Sequence, residues 1–467
     1  MYVVNWQNGG EAIRHNYKDG RLASRPQNIQ FNFVENISYS SLTIGNLSFR
    51  HYIGFINDQA GNYFISSSNE SPFVALALLN SAVAPYCISL KNSTLNTTAE
   101  DFKAIPYIKL PINVEKMIIS LSQKCETISK QDWDSFETSW DFQKHPLISP
   151  SRLISIAFDQ WEQICNERYI ELKLSEEEIN RIFINAYDLQ EELDSEVEAS
   201  CITIRKADVQ REIKSLISYS VGCMFGRYSL DVEGLAYAGG NWQEAFSTKY
   251  KTFLPDEDDI IPITDEEYFK DDIVARFVDF VRVVYGEETL EENLKFIADA
   301  LGKKGDTSRA IIRNYFLNDF YKDHCNTYSV TGSGKRPIYW LFDSGKQNGF
   351  KALIYIHRYT PDTVGLIRSK YLHNAQAAIQ NALQNSEYII ALTTSATERA
   401  RETKKRDKYI KQLNELRPYY QALTHIALQR IPMDLDDGVK KNYQLFQNVE
   451  ISTEGKRKQS INLLAKI

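Results

Sequence analysis

The sequence predicts an α+β fold that is predominantly helical: a β-containing N-terminal domain, then helical domains, a β-hairpin and a helical hairpin. Apolar and polar residues alternate over most of Ile29–Val34, as in a half-buried strand, and two apolar runs on either side of the turn pair Asn348-Gly349 predict strands between residues 338 and 357. Elsewhere apolar residues recur every three or four positions, which is the period of a helix. The 467 residues suffice for two to four domains of roughly 100–200 residues each. We place the boundaries at 1–130, 131–325 and 326–467.

The first domain carries predicted strands and a polar loop. Ile29–Val34 alternates for most of its length, and Tyr39–Arg50 and His51–Phe55 are predicted as further strands. The loop before them offers side chains suited to base edges, because Arg pairs with guanine or phosphate and Asn or Gln pairs with adenine. The candidate DNA-contacting residues of this loop are Arg21, Arg25, Gln27, Asn28 and Gln30. A structural turn fixed by Pro26 is the alternative interpretation.

The stretch Phe73–Pro111 organises the remainder of this domain. An apolar run, Phe73–Leu79, predicts a short buried helix that ends at the turn pair Asn80-Ser81. A second apolar run, Val83–Leu90, predicts another helix. A polar loop then leads to a predicted strand that ends at Pro111, since the prolines at its end favour extended backbone. The first run is too short to span a bilayer.

The middle of the chain is predicted to be helical, and capping patterns indicate where its helices begin. Ser175, Thr264 and Thr289 are each followed three residues later by Glu, which is the spacing of a capping box. A long apolar stripe predicts a helix over Arg205–Arg227. We therefore expect helices to start near each of the three capping patterns.

The C-terminal domain is predicted to hold a β-hairpin followed by a helical hairpin. Ile338–Phe342 and Phe350–His357 have the composition of strands, and Asp343–Gly349 is the turn between them. Val364–Ala427 has the period of two antiparallel helices. The basic stretch Arg399–Lys411 within it is predicted to be exposed.

Basic residues lie close to aromatic residues around the predicted β-hairpin. Such a mixture can hold phosphates and stack bases. The candidate phosphate-contacting residues are Lys335, Arg336, Lys346 and Lys351. A buried hydrophobic hairpin with solvated lysines explains the same pattern, and the residue pattern alone leaves both interpretations open.

Charge is distributed unevenly along the chain. The net charge is −7, yet residues 1–130 carry +2, residues 131–300 carry −21 and residues 301–467 carry +12. Charges farther apart than about 10 Å are screened at ~0.1 M salt, so basic DNA-facing ends are compatible with an acidic middle. A solvated acidic face with a charged helical hairpin is the alternative.

The six cysteines are scattered, with no C-x-x-C pair and no tight Cys/His cluster. That distribution favours reduced thiols over disulfides or a metal site. The N-terminal residues are polar where a signal peptide has its apolar core, and no apolar run reaches membrane-spanning length. We therefore expect a cytoplasmic protein without a membrane partner.

Several stretches, in this order, resemble the PglX family of adenine-specific DNA methyltransferases of type I BREX phage-defence systems, and specifically its C-terminal half. They are Ser24–Asn28, Phe73–Pro111 with its L-L-N-S and D-F-K-x-I-P motifs, Gln131–Pro146, Arg205–Gly240 and Arg336–His357. The resemblance implies a target-recognition domain at residues 1–130. It also implies double-stranded DNA, a methyltransferase catalytic half and other BREX components as partners.

The motifs of methyl transfer are absent from this sequence. The family's adenine pocket uses a [D/N/S]-P-P-[Y/F/W] motif, but none of the 13 prolines here are adjacent. The glycine-rich S-adenosylmethionine loop is also missing, so we expect no cofactor in this chain and assign S-adenosylmethionine to the catalytic half. The predicted function is the DNA-recognition portion of a site-specific N6-adenine methyltransferase. A protein–protein scaffold that docks other defence components is the alternative.

Overall fold

A computed structural model describes residues 4–24, 26–42, 47–56, 61–66, 71–92, 94, 96–103, 105–330, 334–452 and 458–467. Contacts group the chain into two compact units. Unit 1 comprises Met1–Gln131 and Glu167–Arg205, and unit 2 comprises Asp132–Asn166 and Lys206–Ile467. Helices predominate and the strands form small sheets, which confirms the predicted α+β, predominantly helical class. The division into three domains at residues 130 and 325 remains a prediction.

Unit 1 combines a small antiparallel sheet with short helices and parts of two long helices that continue into unit 2. The elements are α1 Gln7–Arg14, β1 Tyr17–Lys18, β2 Arg21–Leu22, β3 Asn36–Ser40, β4 Phe49–Tyr52, β5 Gly61–Phe64, α2 Pro72–Asn80, α3 Val83–Ser89, α4 Ala99–Phe102, α5 Ile112–Asp134 and α6 Ile154–Ala186.

An aromatic core holds the unit 1 sheet, whose strand order is β4-β3-β5. Ile37 and Tyr39 alternate into this core from β3. The Tyr39 ring centroid lies 5.4 Å from that of Phe64 and 4.7 Å from that of Phe102. Such pairs contribute about 0.5–1.5 kcal/mol beyond area burial. The residues after α3 are therefore tied to the sheet through α4, which carries Phe102.

The predicted pair of short helices is confirmed as α2 and α3, and Asn80 explains the turn between them. Its side-chain oxygen accepts the Phe49 amide N–H at 3.0 Å, and its Nδ2 donates to the Phe49 carbonyl at 3.1 Å. The Asn80 side-chain amide thus satisfies both backbone groups of Phe49 on β4, as a neighbouring strand would. Among the described residues, no single helix is long and apolar enough to cross a bilayer, although α2 and α3 together, bent by 63°, satisfy length and composition.

Two strand predictions in unit 1 are wrong. Ile29–Phe31 forms a 3-10 turn, and Phe33 after it has φ 65°, a conformation that a strand does not contain. Residues 105–111, predicted to end a strand, form no strand pairing within the described part of the chain. They lead directly into α5. The Pro111 carbonyl accepts a hydrogen bond from the Val114 N–H at 2.9 Å in the first turn of this helix.

Unit 2 is a larger helical assembly around a three-stranded sheet. Besides Ile154–Asn166 of α6, its elements are α7 Val209–Phe225, α8 Trp242–Lys249, β6 Ile261–Pro262, α9 Ile273–Tyr285, α10 Leu290–Leu301, α11 Ser308–Asn318, α12 Phe320–Thr327, β7 Ser329–Val330, β8 Gly334–Lys335, β9 Tyr339–Asp343, β10 Lys351–Tyr355, α13 Thr363–Leu366, a π-helical turn Ile367–Leu372, α14 His373–Leu392, α15 Ala396–Gln429, a 3-10 turn Leu435–Asp437, α16 Val439–Gln444, β11 Val449–Ile451 and β12 Gln459–Ile461.

The predicted β-hairpin is confirmed as β9 and β10, and it separates two hydrophobic cores. Leu341 pairs with Leu353, and Trp340 pairs with Ile354, in an antiparallel register. The odd-numbered side chains face a core formed with α7 and α9–α12, and the even-numbered ones face a core formed with α14 and α15. Both faces are covered, which explains why the strands are apolar at almost every position.

The predicted helical hairpin is confirmed as α14 and α15. Arg399–Lys411 lies on α15, and most of this stretch is exposed, as predicted. Glu402 and Tyr409 are its two buried residues.

Candidate nucleic-acid interface

Most candidate residues in the polar loop of unit 1 are exposed to solvent. Arg21 is exposed in β2, opposite Lys18 of β1. Gln27, Asn28 and Gln30 are also exposed. Arg25 lies outside the described residues. The described part of the loop therefore presents one guanidinium group and three amide side chains to solvent.

Backbone geometry gives Asn28 a special place in this loop. Its φ is 55°, in the left-handed region, which Asn tolerates better than most residues. Its carbonyl accepts the Phe31 N–H at 2.9 Å and closes the 3-10 turn. Asn28 therefore shapes the turn through its backbone, while its side-chain amide remains exposed for another partner.

Apolar side chains are exposed next to these amides. Phe31 is 39% exposed and Phe33 is 47% exposed. Phe33 also holds φ 65°, which is strained for a bulky residue and is found most often at functional sites. Exposed rings beside donor and acceptor amides are suited to the mixed surface of an unstacked base or a thymine methyl group.

The hairpin turn of unit 2 presents Lys346 from a fixed backbone. Glu415 of α15 accepts the N–H of Gln347 at 2.7 Å and of Gly349 at 3.2 Å, and the hydroxyl of Ser344 at 2.8 Å. The Glu415 carboxylate therefore already accepts hydrogen bonds from two backbone N–H groups of the turn. Lys346 itself is exposed, so an anion that meets this turn encounters its ammonium group.

Lys351 differs sharply from the other candidate lysines. Only 8% of it is exposed. Its ammonium group donates to the Leu317 carbonyl at 2.8 Å and lies 3.6 Å from the Asp343 carboxylate. Because the charge is directed into unit 2, we leave Lys351 out of the proposed contact set. Arg358 is similarly buried, with its guanidinium 3.7 Å from the Trp242 ring centroid.

Arg336 lines a cavity together with a lysine that is distant from it in the sequence. Lys335 is half-buried in β8, and Arg336 is exposed. Arg336 and Lys440 both line a partly enclosed cavity of about 390 Å³. Lys440 belongs to α16, more than 100 residues further along the chain, and no sequence pattern links the two positions.

The cavity also contains a neutral imidazole. Burial, reinforced by the Arg227 guanidinium, lowers the pKa of His357 to about 4. His357 therefore contributes no positive charge at pH 7. Arg336 and Lys440 supply the positive charge of the cavity lining.

Comparison with known proteins gives two close matches, while no family model matches the chain. The adenine-specific methyltransferase PglX of Lacticaseibacillus casei (strain Zhang) is 42% identical over 467 residues, which cover 96% of this chain and 37% of that protein. The chain matches the C-terminal portion of PglX-type methyltransferases. BrxX of Escherichia coli O9:H4 (strain HS), also an adenine-specific methyltransferase, is 36% identical over 478 residues, covering 95% of this chain and 38% of that protein.

The match to PglX and BrxX confirms the resemblance inferred from the sequence motifs. The chain nevertheless spans well under half the length of both relatives. The activity of a complete PglX-type protein therefore enters only as a proposal.

Proposed function

We propose that the chain is the DNA-recognition portion of a site-specific N6-adenine DNA methyltransferase of the PglX type, acting in BREX bacteriophage defence. The 42% identity to an adenine-specific methyltransferase over 96% of the chain carries this proposal. The same stretch has no adjacent prolines, and in this proposal the adenine pocket and S-adenosylmethionine belong to the methyltransferase catalytic half. The partners are double-stranded DNA, that catalytic half and other BREX components.

In this proposal the two groups of residues have different tasks. Lysines are flexible point charges and suit phosphates, which fix position without reading sequence. Amides and guanidinium groups form paired hydrogen bonds and suit base edges. We assign phosphate contacts to Lys335, Arg336 and Lys346. Base-edge contacts are assigned to Arg21, Arg25, Gln27, Asn28 and Gln30.

Replacing Lys346 by alanine tests the phosphate assignment. We expect weaker binding to every duplex and a slope of log K against log salt that falls by about one, because one phosphate contact is lost. Binding is measured by fluorescence anisotropy at several salt concentrations on the chain reassembled with its catalytic half. Lys404→Ala, an exposed lysine of α15, is the matched control and keeps the wild-type slope.

Replacing Asn28 by glycine tests the base-edge assignment without straining the turn. Glycine adopts φ 55° readily, so Asn28→Gly removes the amide and preserves the backbone. We expect a loss of roughly 1–3 kcal/mol on the cognate site and little change on other sequences. An equal loss on all sequences would instead assign Asn28 to general affinity.

The alternative is a scaffold that docks other defence components. Trp140 is 65% exposed and Trp133 is 54% exposed within an acidic stretch, and exposed Trp residues are enriched at protein interfaces. If Lys346→Ala and Asn28→Gly both bind DNA like the wild type in the reassembled protein, the DNA-facing assignment is wrong and the scaffold function replaces it.

A further inference from the structure

The cavity that contains Arg336 and Lys440 has two walls of different origin. One wall comes from the hairpin strands and their flanks, with Ile338 and Trp340. The other comes from residues 433–442, with Leu435 and Val439. The lining is mainly aliphatic and aromatic, and its charged residues are Arg336, Asp437 and Lys440. Its volume of about 390 Å³ falls within the range of small-ligand pockets, roughly 300–1,000 Å³.

The second wall is held in place by a buried amide. Asn442 is 3% exposed. Its Nδ2 donates to the carbonyls of Asp434 and Gly438, at 2.5 Å and 3.2 Å. These bonds clamp the residues before α16 against that helix. The cavity therefore has a defined shape in the folded protein and does not depend on a loose chain segment.

The charges of the lining favour an anionic ligand. Asp437 also lines the cavity, but its carboxylate pairs with Lys441 at 2.6 Å. Within the described residues, no carboxylate forms a salt bridge with Lys440. The cavity is lined both by Arg336, which lies between β8 and β9 and has a further interaction partner, and by Lys440 of α16. Guanidinium and ammonium groups are the usual partners of phosphate.

We propose that this cavity binds a nucleotide, with its phosphate on Arg336 and Lys440 and its base against the apolar lining. The nucleotide has two possible sources: a free mononucleotide, or an unpaired nucleotide of bound DNA. The DNA source rests on the proposed function, whereas the free-nucleotide source does not.

The test is a competition experiment with the full chain. A fluorescently labelled adenosine monophosphate is bound, then displaced by unlabelled adenosine monophosphate, by adenosine or by inorganic phosphate. We expect the nucleotide to compete at least about tenfold better than either fragment, because only it uses both the charged and the apolar parts of the cavity. Equal competition by phosphate alone would reduce the site to an anion-binding surface and overturn the proposal.

Two substitutions locate the site. Lys440→Gln removes one charge and should weaken nucleotide binding about tenfold. Leu435→Trp fills the cavity from a residue that is 40% exposed, so it should block binding while leaving the melting temperature close to that of the wild type. Lys411→Gln, on the exposed side of α15, is the matched control. If Leu435→Trp binds the nucleotide like the wild type, the cavity is not the site.

A second arm distinguishes the two sources. A duplex with one unpaired adenine is compared with the fully paired duplex, using the chain reassembled with its catalytic half. A preference for the unpaired duplex that disappears in Leu435→Trp identifies DNA as the source. Equal duplex binding together with tight adenosine monophosphate binding identifies a free nucleotide. Failure of both arms rejects the nucleotide site and leaves the Lys346 and Asn28 tests of the proposed function unaffected.

Discussion

His51 lies between two carboxylates in unit 1. Its Nδ1 is 2.8 Å from Oε1 of Glu126, and its Nε2 is 2.8 Å from Oε1 of Glu35. A carboxylate only accepts, so both ring nitrogens donate when the ring is protonated. Burial by itself would lower the pKa of His51, but the two carboxylates raise the pKa above its ordinary value. The ring therefore joins β4 to α5 most strongly in its charged form.

This arrangement predicts a pH dependence of stability. Because folding raises the pKa of His51, its contribution is complete below the unfolded value of about 6.5 and is lost as pH rises through the folded pKa. Both glutamates are more than a third exposed, so we expect at most about 1 kcal/mol. Urea unfolding at pH 6 and pH 8.5 should show a smaller stability difference between wild type and His51→Gln at the higher pH. An equal stability difference at the two pH values would contradict this prediction.

The different exposure of two candidate lysines shows which part of the candidate site could be predicted from the sequence. Lys346 and Lys351 are five positions apart and carry the same charge. One lies in the hairpin turn and is exposed, while the other lies in a strand covered on both faces. The turn itself is evident from Asn348-Gly349, but the burial of Lys351 depends on how α11 packs against the strand. The place of Lys440 beside Arg336 likewise depends on tertiary packing.

The capping pattern of Ser or Thr followed three residues later by Glu does not by itself identify the start of a helix. Thr289 does precede α10, as predicted. Ser175 lies in the middle of α6, where its hydroxyl donates to the Glu171 carbonyl at 2.8 Å, the local bond by which Ser is accommodated inside helices. No helix begins at Thr264, whose hydroxyl donates to the Glu266 carbonyl. The same residue spacing serves three local structures, and packing selects among them.

The next helix after Thr264 is α9, and its N-cap residue, Asp272, is also part of an ion pair. Asp272 caps α9 by accepting the Val274 N–H at 2.9 Å. Its two carboxylate oxygens each accept from Arg313 of α11 at 2.8 Å. The Asp272 side chain is fully buried and that of Arg313 is 13% exposed. This pair therefore joins the start of α9 to the middle of α11.

Breaking this pair should destabilise unit 2 strongly. Arg313→Met leaves Asp272 buried without its counter-ion, which costs about 3–5 kcal/mol in comparable cases. Arg309 is the control: it lies on the same helix and binds Glu291 with two hydrogen bonds, but both side chains are largely exposed. Arg309→Ala should cost no more than about 1 kcal/mol. Equal losses in denaturant unfolding of the two variants would contradict this assignment.

The acidic and basic segments of the sequence do not form separate acidic and basic surfaces in the folded protein. Unit 1 has 15 Lys and Arg against 20 Asp and Glu, and unit 2 has 39 against 41. Within unit 2 the acidic middle pairs with the basic C-terminal part. Lys370 binds Asp258 at 2.6 Å, and Lys408 binds Asp265 at 2.5 Å. Net charge per segment therefore overstates the unpaired positive surface, and individual exposed residues are the better guide to it.

Methyl transfer is a property that this chain should lack on its own. An N6-adenine methyltransferase must hold the flipped base and the methyl donor together, and our proposal assigns both tasks to the catalytic half because this sequence has no adjacent prolines. We expect the purified chain to transfer no labelled methyl group from S-adenosylmethionine to duplex DNA and to bind the cofactor no better than an unrelated protein does. The chain reassembled with a PglX-type catalytic half is the positive control, since it should restore labelling of adenine. Labelled DNA produced by the chain alone would place a catalytic site among its own residues and contradict the division of tasks between the two halves.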